Sequence, residues 1–388
     1  MKAIKATVAI LLLFCGSYAL AQEPQQIKGI AKEVHPAEYY EQQSDLWKRK
    51  TQKEPKNANA WYNRYRAQRA YLQTSNPQLW ATNQRTILEQ LNPIVEETKK
   101  AVGNSFEYYL MASENTRTAA SIDYLKKAHS VAPNRTEAYE GLLIHYITTA
   151  QKDKASDIAR KMLACNYYSN ANLKWNYNAL ETTEENALFI THGDMDAIPK
   201  WVLQYGAGIR TDVMVASKWL MAFEPEYKEY IFKAVNARDF DKTKDDFEHA
   251  GAYVDALTAH LVKTSEKPAY MGCGTNVKFF ECFELHEHMY LVGMAFRYST
   301  EGFDNLGTTI KNFEKKYDLE YLLNNFQHHS EDEVVKKHMN ITYIPGLMKL
   351  KKHYEASGNA QKEQYYQRLI DRIAEDSGRR QEIMSWYE

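Results

Sequence analysis

Apolar residues recur at three- and four-residue spacing along most of the chain, which is the pattern of helices that bury one face. This pattern predicts helices from about residue 27 to 178 and again from 331 to the end. Between these regions, the runs 187–190 and 213–216 are short and continuously apolar, as buried parallel strands are. The predicted fold is therefore mainly α, with helical repeats flanking a small α/β module that contains parallel strands.

The same pattern divides the chain into four parts. We predict a signal peptide at 1–21, a helical repeat region at 22–178, an α/β module at 179–330 and a C-terminal helical hairpin at 331–388. Hydrophobic residues make up 44% of the sequence, which is enough to build a core in each of the three larger parts.

An internal period of 34 residues aligns Tyr108 with Leu142 and Ser121 with Ala155. Pro133 falls where one tetratricopeptide unit would end and the next begin. The chain resembles tetratricopeptide repeats over about two units here. Such helix pairs stack into a superhelix, whose concave face either binds a protein partner or braces the neighbouring domain.

The N-terminus has the features of a secretory signal. An apolar run at 6–14 is too short to span a bilayer, and the small residues at 19–21 predict cleavage before Gln22. A lipoprotein anchored through Cys15 is the alternative, but Phe14 is larger than the residue that normally precedes a lipidated cysteine. We expect an exported protein, periplasmic or outer-envelope associated, without a membrane span in the mature chain.

The chain has a formal net charge of −1 at pH 7 and contains 28 tyrosines. A near-neutral chain has no bulk electrostatic attraction to nucleic acid, so we exclude nucleic acid as a partner. Tyrosine rings either pack between repeat helices or form surfaces that bind carbohydrate or protein.

Three cysteines remain after the predicted cleavage, namely Cys165, Cys273 and Cys282. In an oxidising compartment, Cys273 and Cys282 can form a disulfide. The alternative is that all three are small buried residues.

The segment 186–217 has the order strand, acidic loop, helix, strand, with Pro199 predicted to open the helix. In open α/β sheets the ligand binds beyond the carboxyl ends of the strands. The loop lies at that position, so we predict that this segment binds the ligand through His192, Asp194, Asp196, Trp201 and Arg210.

The two aspartates of this loop allow three interpretations. Asp194 and Asp196 form a D-x-D pair, which in many glycosyltransferases holds a divalent metal. Alternatively, Asp194 acts as a base and His192 as an acid in a hydrolase. The third interpretation is structural, with Asp194 in a turn and Asp196 capping a helix that begins near Ile198.

Downstream, the glycine-rich stretch 270–275 is predicted to be a turn or the lip of a pocket. Glu284 and His288 lie four residues apart, as metal ligands on one helix face do, and would join the aspartates if the fold brings them together. The alternative is a strand or helix edge with solvated charges. His328 and His329, which precede the acidic run 331–333, are predicted to lie in a solvated linker.

The sequence G-D-M-D-A-I-P-K-W-V-L-Q, followed by G-I-R-T-D-V within 187–220, resembles a motif in a family of multipass membrane proteins from Bacteroidetes-type bacteria. That family is similar to the transmembrane protein O-mannosyltransferases and carries a soluble module with repeat-like helices. The run Y-L-V-G-M-A-F-R-Y at 290–298 also resembles this module. The resemblance extends from 185 to the C-terminus.

The chain departs from that family in two ways. His192 and Met195 stand where the family pattern has asparagines, and the chain lacks the membrane helices that carry the family's transferase chemistry. The resemblance therefore implies a shared soluble module in an accessory or binding protein.

Two functional hypotheses follow. The first is an exported, non-catalytic binding or scaffold protein of the bacterial cell envelope, which contacts an envelope protein through its helical repeats. The alternative is an enzyme or accessory that acts on glycans or sugar nucleotides, with Asp194 and Asp196 binding a divalent metal or the substrate.

Overall fold

The computed structural model describes residues 23–30, 33–116, 120–324, 329 and 331–385. The chain divides into two compact units, the first ending at Ala138 and the second beginning at Tyr139. The predicted signal peptide and Cys15 lie outside the described residues. Residues 139–178, which the sequence pattern groups with the helical repeats, belong to the same unit as the sheet.

The first unit is helical. Its core includes Tyr40 and Trp47 of the first helix, packed with Ala60, Ala67 and Ala70 of the second. These alanines lie on one side of the second helix, and their small side chains let the two helices approach closely. The helices are Ala37–Lys53 (α1), Ala58–Ser75 (α2), Pro77–Thr82 (α3), Gln84–Val102 (α4), Phe106–Thr116 (α5) and Ala120–Val131 (α6).

The second unit combines helices with one sheet. Its longer helices bury apolar stripes at the spacing that the sequence pattern predicts, such as Leu369, Ile370 and Ile373 in the longest. The helices are Tyr139–Thr148 (α7), Lys152–Ala164 (α8), Asn170–Glu181 (α9), Asp194–Trp201 (α10), Lys218–Phe223 (α11), Pro225–Ala234 (α12), Ala250–Thr264 (α13), Val277–Cys282 (α14), Asn305–Lys311 (α15), Glu320–Leu323 (α16), Asp332–Val334 (α17), Ile344–Ala356 (α18), Ala360–Ser377 (α19) and Arg380–Ser385 (α20).

The sheet has five strands in the order β2-β1-β3-β5-β4. The central strand β1 runs parallel to β2 and β3, while β5 is antiparallel to both β3 and β4. The prediction of a mainly helical fold that contains a small sheet with parallel strands is thus confirmed. The strands are Leu188–Thr191 (β1), Met214–Ser217 (β2), Ala269–Gly272 (β3), Met289–Leu291 (β4) and Ala295–Tyr298 (β5).

The turn predicted at 270–275 is wrong for its first three residues. Residues 269–272 of the expected turn form β3, whose side chains are all buried, and the turn begins only at Cys273. The stretch 281–298 contains the β4–β5 hairpin. Gly293 between these strands has φ +121°, a backbone conformation that L side chains rarely adopt, so no helix can continue through it.

Helix pairs occupy both predicted repeat positions, α5 with α6 and α7 with α8. Their assignment to the tetratricopeptide class stays a prediction. The predicted C-terminal hairpin corresponds to α18 and α19, which pack against each other. Among the described residues, the helices are too short or too polar to cross a membrane.

Of the two predicted linker residues, His328 lies outside the described residues, and the acidic run that follows them begins at a buried position. Glu331 is fully buried, and its carboxylate accepts a hydrogen bond of 3.0 Å from the backbone N–H of Ser169, the residue that caps α9. A negative charge is favourable at a helix N-terminus because the unpaired N–H groups carry partial positive charge. Glu331 therefore fixes the start of α9 against the C-terminal helices.

Candidate functional site

The three parallel strands end at one side of the sheet, and the segments that follow them form a surface that we call the carboxyl edge. It comprises residues 192–196 after β1, 218–223 after β2 and 273–275 after β3. The fold thus places the predicted loop where ligands bind in open α/β sheets. Residues of this loop contact residues that are distant in sequence, such as Thr275.

His192 is tied to the end of β3. Its Nε2 lies 2.7 Å from the Thr275 hydroxyl, which also donates to the Gly272 carbonyl at 2.8 Å. Because a hydroxyl has one proton and a carbonyl can only accept, Nε2 carries a proton and donates to Thr275. Thr275 is buried, so this contact joins two strand ends and leaves no exposed hydroxyl to act as a nucleophile.

Burial lowers the pKa of His192, although the neighbouring Asp196 carboxylate raises it in part. The unfolded chain therefore takes up a proton near pH 6.5 while the folded protein does not until a lower pH. The unfolding free energy should fall with decreasing pH between the unfolded pKa and the lower folded pKa, and the contribution is fully present above about pH 6.5.

We expect His192→Gln to reduce this acid sensitivity, because glutamine stays neutral and can still donate to Thr275. Urea unfolding at a series of pH values from 7.5 to 5 measures the difference. The matched control is His286→Gln, since the His286 side chain is 60% exposed. If the unfolding free energy changes equally with pH in the wild type and in His192→Gln, the ring of His192 is not buried in its neutral form.

Asp196 is held by two partners. It lies in the first turn of α10, where one carboxylate oxygen accepts from the His192 backbone N–H at 3.0 Å. The other oxygen accepts from Lys200 Nζ at 2.5 Å. The predicted capping role of Asp196 is wrong, because α10 begins at Asp194 and not near Ile198, and its N-terminus has no side-chain cap hydrogen bond. The Asp196 carboxylate instead ties α10 to the residue that follows β1.

Lys200 is fully buried beneath this loop. Its ammonium donates to Asp196 and, at 2.9 Å, to the Asn176 side-chain oxygen, and it lies over the rings of Trp175 and Phe189. Burial lowers the pKa of Lys200, while the Asp196 carboxylate opposes that shift. A buried cation is tolerated only with such pairing.

Pro199 lies inside α10 and does not open it, which corrects the predicted helix start. A proline has no N–H, so the carbonyl four residues earlier, that of Met195, loses its helical donor. The Asn176 side-chain amide replaces it at 3.2 Å. Asn176 therefore completes α10 from the neighbouring helix α9.

The predicted metal role of Asp194 and Asp196 does not fit this arrangement. Asp194 is exposed in the first turn of α10, while Asp196 is neutralised by Lys200. Within the described part of the chain, no group of three or more His, Cys, Asp or Glu side chains is arranged to hold a metal ion. The predicted ligand pair Glu284 and His288 shares no helix, because Glu284 follows α14 and has φ +53°.

Trp201 seals the outer edge of the sheet instead of facing a ligand at the carboxyl edge. The N–H of Met214 bonds towards β1, so the backbone groups of Val213 and Val215 point away from it. Trp201 Nε1 and the Tyr227 hydroxyl donate to Val215 O at 3.3 and 3.2 Å. Side chains thus cover an edge that is otherwise open to strand pairing.

Arg210 lies at the opposite end of the strands, which corrects its predicted binding role. It precedes β2, and its guanidinium donates to the carbonyls of Leu180 and Glu184, which precede β1, at 2.9 Å each. Asp212 pairs with the same guanidinium at 3.0 Å. Arg210 therefore braces the amino ends of the parallel strands.

The predicted disulfide is absent. Of the described cysteines, Cys165, Cys273 and Cys282 are all free thiols, and Cys165 and Cys282 are exposed. Burial raises the pKa of the Cys273 thiol well above its usual range, so this cysteine is protonated and unreactive near neutral pH.

The sequence interpretation missed the aromatic pair Trp219 and Phe223 on α11. These side chains are 42% and 43% exposed, their ring planes are within 3°, and their centroids lie 6.1 Å apart. Lys218, next to them, pairs with Asp255 of α13 at 3.4 Å, and Lys244 Nζ lies over the Phe223 ring, 4.2 Å from its centroid. The available signal was the four-residue spacing of two large aromatics directly after a strand.

No protein-family model and no curated protein matches this chain. The resemblance to the soluble module of multipass membrane proteins therefore stays a prediction.

Proposed function

We propose that this protein is a non-catalytic binding protein of the bacterial cell envelope, and that the carboxyl edge binds a sugar unit of a glycan. The exposed, nearly parallel rings of Trp219 and Phe223 carry this proposal. Sugar rings present a face of C–H groups that packs on an aromatic ring, while their hydroxyls bond to polar groups at its rim. The Lys218–Asp255 pair provides a donor and an acceptor there.

Binding is favoured over catalysis because the polar groups of the edge are already engaged with one another. Asp196 is paired with Lys200, and His192 donates to a buried threonine. A general acid or base has to reach the reacting atoms with a free proton or lone pair. These contacts instead hold the loop that follows β1 in place.

Export and location in the envelope rest on the predicted signal peptide and on the resemblance in 185–388. In the first unit, the helices α1 to α6 offer a surface for an envelope protein partner. This role in protein contact accompanies the glycan site and does not depend on it.

We expect the full chain without its signal peptide to bind one class in a panel of neutral and uronic-acid oligosaccharides. Trp219→Ala should weaken that binding at least about tenfold, which corresponds to the roughly 1.4 kcal/mol that an aromatic contact of this kind contributes. Calorimetric titration measures the affinity. The unfolding free energy should change by less than about 0.5 kcal/mol, because the ring is exposed.

Leu323→Ala is the matched control, since Leu323 is a comparably exposed apolar residue, 40% exposed, on α16. It should leave the affinity unchanged. If no oligosaccharide binds to the wild type, the glycan proposal fails. A metal-dependent signal with a sugar nucleotide that Asp194→Ala abolishes would instead support the enzyme hypothesis.

A further inference from the structure

We infer that a second site, a cavity beside the edge strand β2, binds a small aromatic carboxylate. The cavity has a volume of about 310 Å³ and lies between β2, α8, α12 and the turn 202–206 that extends α10. This volume falls at the lower end of the range for small-molecule pockets. It is separate in its lining residues from the carboxyl edge.

Aromatic rings form much of the cavity wall. Trp201 and Tyr227 are fixed there by their hydrogen bonds to Val215 O, so the wall is rigid and present before a ligand binds. Tyr205 and Tyr230 complete it, with Ile231 among the apolar lining residues. Four rings around a cavity of this size suit a flat, one-ring ligand, because aromatic pairs pack in offset or edge-to-face geometry.

The polar groups of the wall point to the charge of the ligand. Of the described residues that line the cavity, Lys152 alone carries a formal charge, and it is exposed on the first turn of α8. None of the described acidic side chains lies within ion-pair distance of its ammonium. Ser156, one turn further along α8, adds a hydroxyl. A cation and a hydroxyl on one helix face fit a carboxylate at the cavity mouth.

Two phenols add further donors. Tyr205 and Tyr230 have no hydrogen-bond partner among the described residues, unlike Tyr227, whose hydroxyl is engaged with Val215 and Ser217. Burial, together with the nearby Tyr230, raises the pKa of Tyr205 to about 12. This phenol therefore keeps its proton at neutral pH and donates to an acceptor on the ligand.

The test uses 4-hydroxybenzoate and its neutral analogue 4-hydroxybenzamide as probes, titrated into the mature chain in a calorimeter. The carboxylate should bind at least about tenfold more tightly, as a charge-assisted hydrogen bond predicts. Lys152→Met should remove this preference by weakening only the carboxylate. Lys154→Met, an exposed lysine two residues away that does not line the cavity, should leave both affinities unchanged.

Ser156→Phe fills the cavity and should abolish binding of both probes. Because Lys152 is exposed, the Lys152→Met variant keeps the test valid even if Ser156→Phe does not fold. Equal affinity for the two probes, no binding to the wild type, or carboxylate binding that survives Lys152→Met would each overturn the inference. Trp219→Ala should not affect these titrations, so this result and the glycan result fail or hold independently.

Discussion

Lys200→Met is expected to lower the unfolding free energy by about 3 kcal/mol, the largest effect of any single charge removal that we foresee in this chain. Removing one partner of a buried ion pair leaves the other as an uncompensated charge, which typically costs about 3–5 kcal/mol. The lower end applies here because the Asp196 side chain keeps 17% exposure. Lys200 itself is fully buried.

The loss should come mainly from the stranded carboxylate and only partly from the missing ammonium. Adding Asp196→Asn to Lys200→Met should therefore recover part of the stability, because an asparagine oxygen can still accept from the His192 N–H without carrying a charge. Urea unfolding of the two single variants and the double variant gives the coupling energy. Lys233→Met, an exposed lysine on α12, should stay within about 0.5 kcal/mol of the wild type.

If the double variant is no more stable than Lys200→Met, the carboxylate is not the source of the cost. If Lys200→Met is as stable as the control, the lysine is not buried in solution.

The strands β1 and β2 could be predicted because each is a short apolar run and a helical segment separates them. In contrast, β3 was missed, since only four residues lie between Pro268 and the turn at Cys273. Its burial comes from pairing with β1 and β5 on both sides, which is a long-range property. A sequence pattern of four residues cannot distinguish such a strand from a turn.

The position of His192 at the carboxyl edge could also be predicted, because it directly follows β1. Its partner could not, since Thr275 lies 83 residues further along the chain. Lys200 shows the same limit. A lysine in an amphipathic helix normally extends into water, and its burial depends on Asn176, which lies 24 residues earlier on another helix.

Trp201 and Arg210 were assigned to the ligand because they belong to the same segment, 186–217, as the acidic loop. The strand separates them in space: Arg210 bonds to residues that precede β1, whereas His192 follows β1. Residues that are close in sequence within a strand–helix–strand unit can lie at opposite ends of the sheet. The chain reaches the carboxyl edge at the end of β1 and returns through α10 to the amino end of β2.

Gly293→Ala is expected to destabilise the protein by at least about 3 kcal/mol, through two separate causes. The residue has φ +121°, where a side chain costs roughly 1–3 kcal/mol in backbone strain. A Cβ there would also overlap the hydroxyl of Tyr317. This hydroxyl accepts a hydrogen bond from the Met294 N–H and shares another with the Thr182 hydroxyl. Overpacking of this kind adds about 1–3 kcal/mol.

Tyr317→Phe separates these causes, because it removes the overlapping hydroxyl and leaves the backbone strain. The double variant Gly293→Ala/Tyr317→Phe should therefore cost less than the sum of the two single variants, although it should stay less stable than the wild type. Urea unfolding measures all three. Gly302→Ala is the control, since no atom lies within 4 Å of its added Cβ and its φ is unstrained. A fully additive pair would mean that the hydroxyl does not approach Gly293, and that backbone conformation alone requires glycine in the run 290–298.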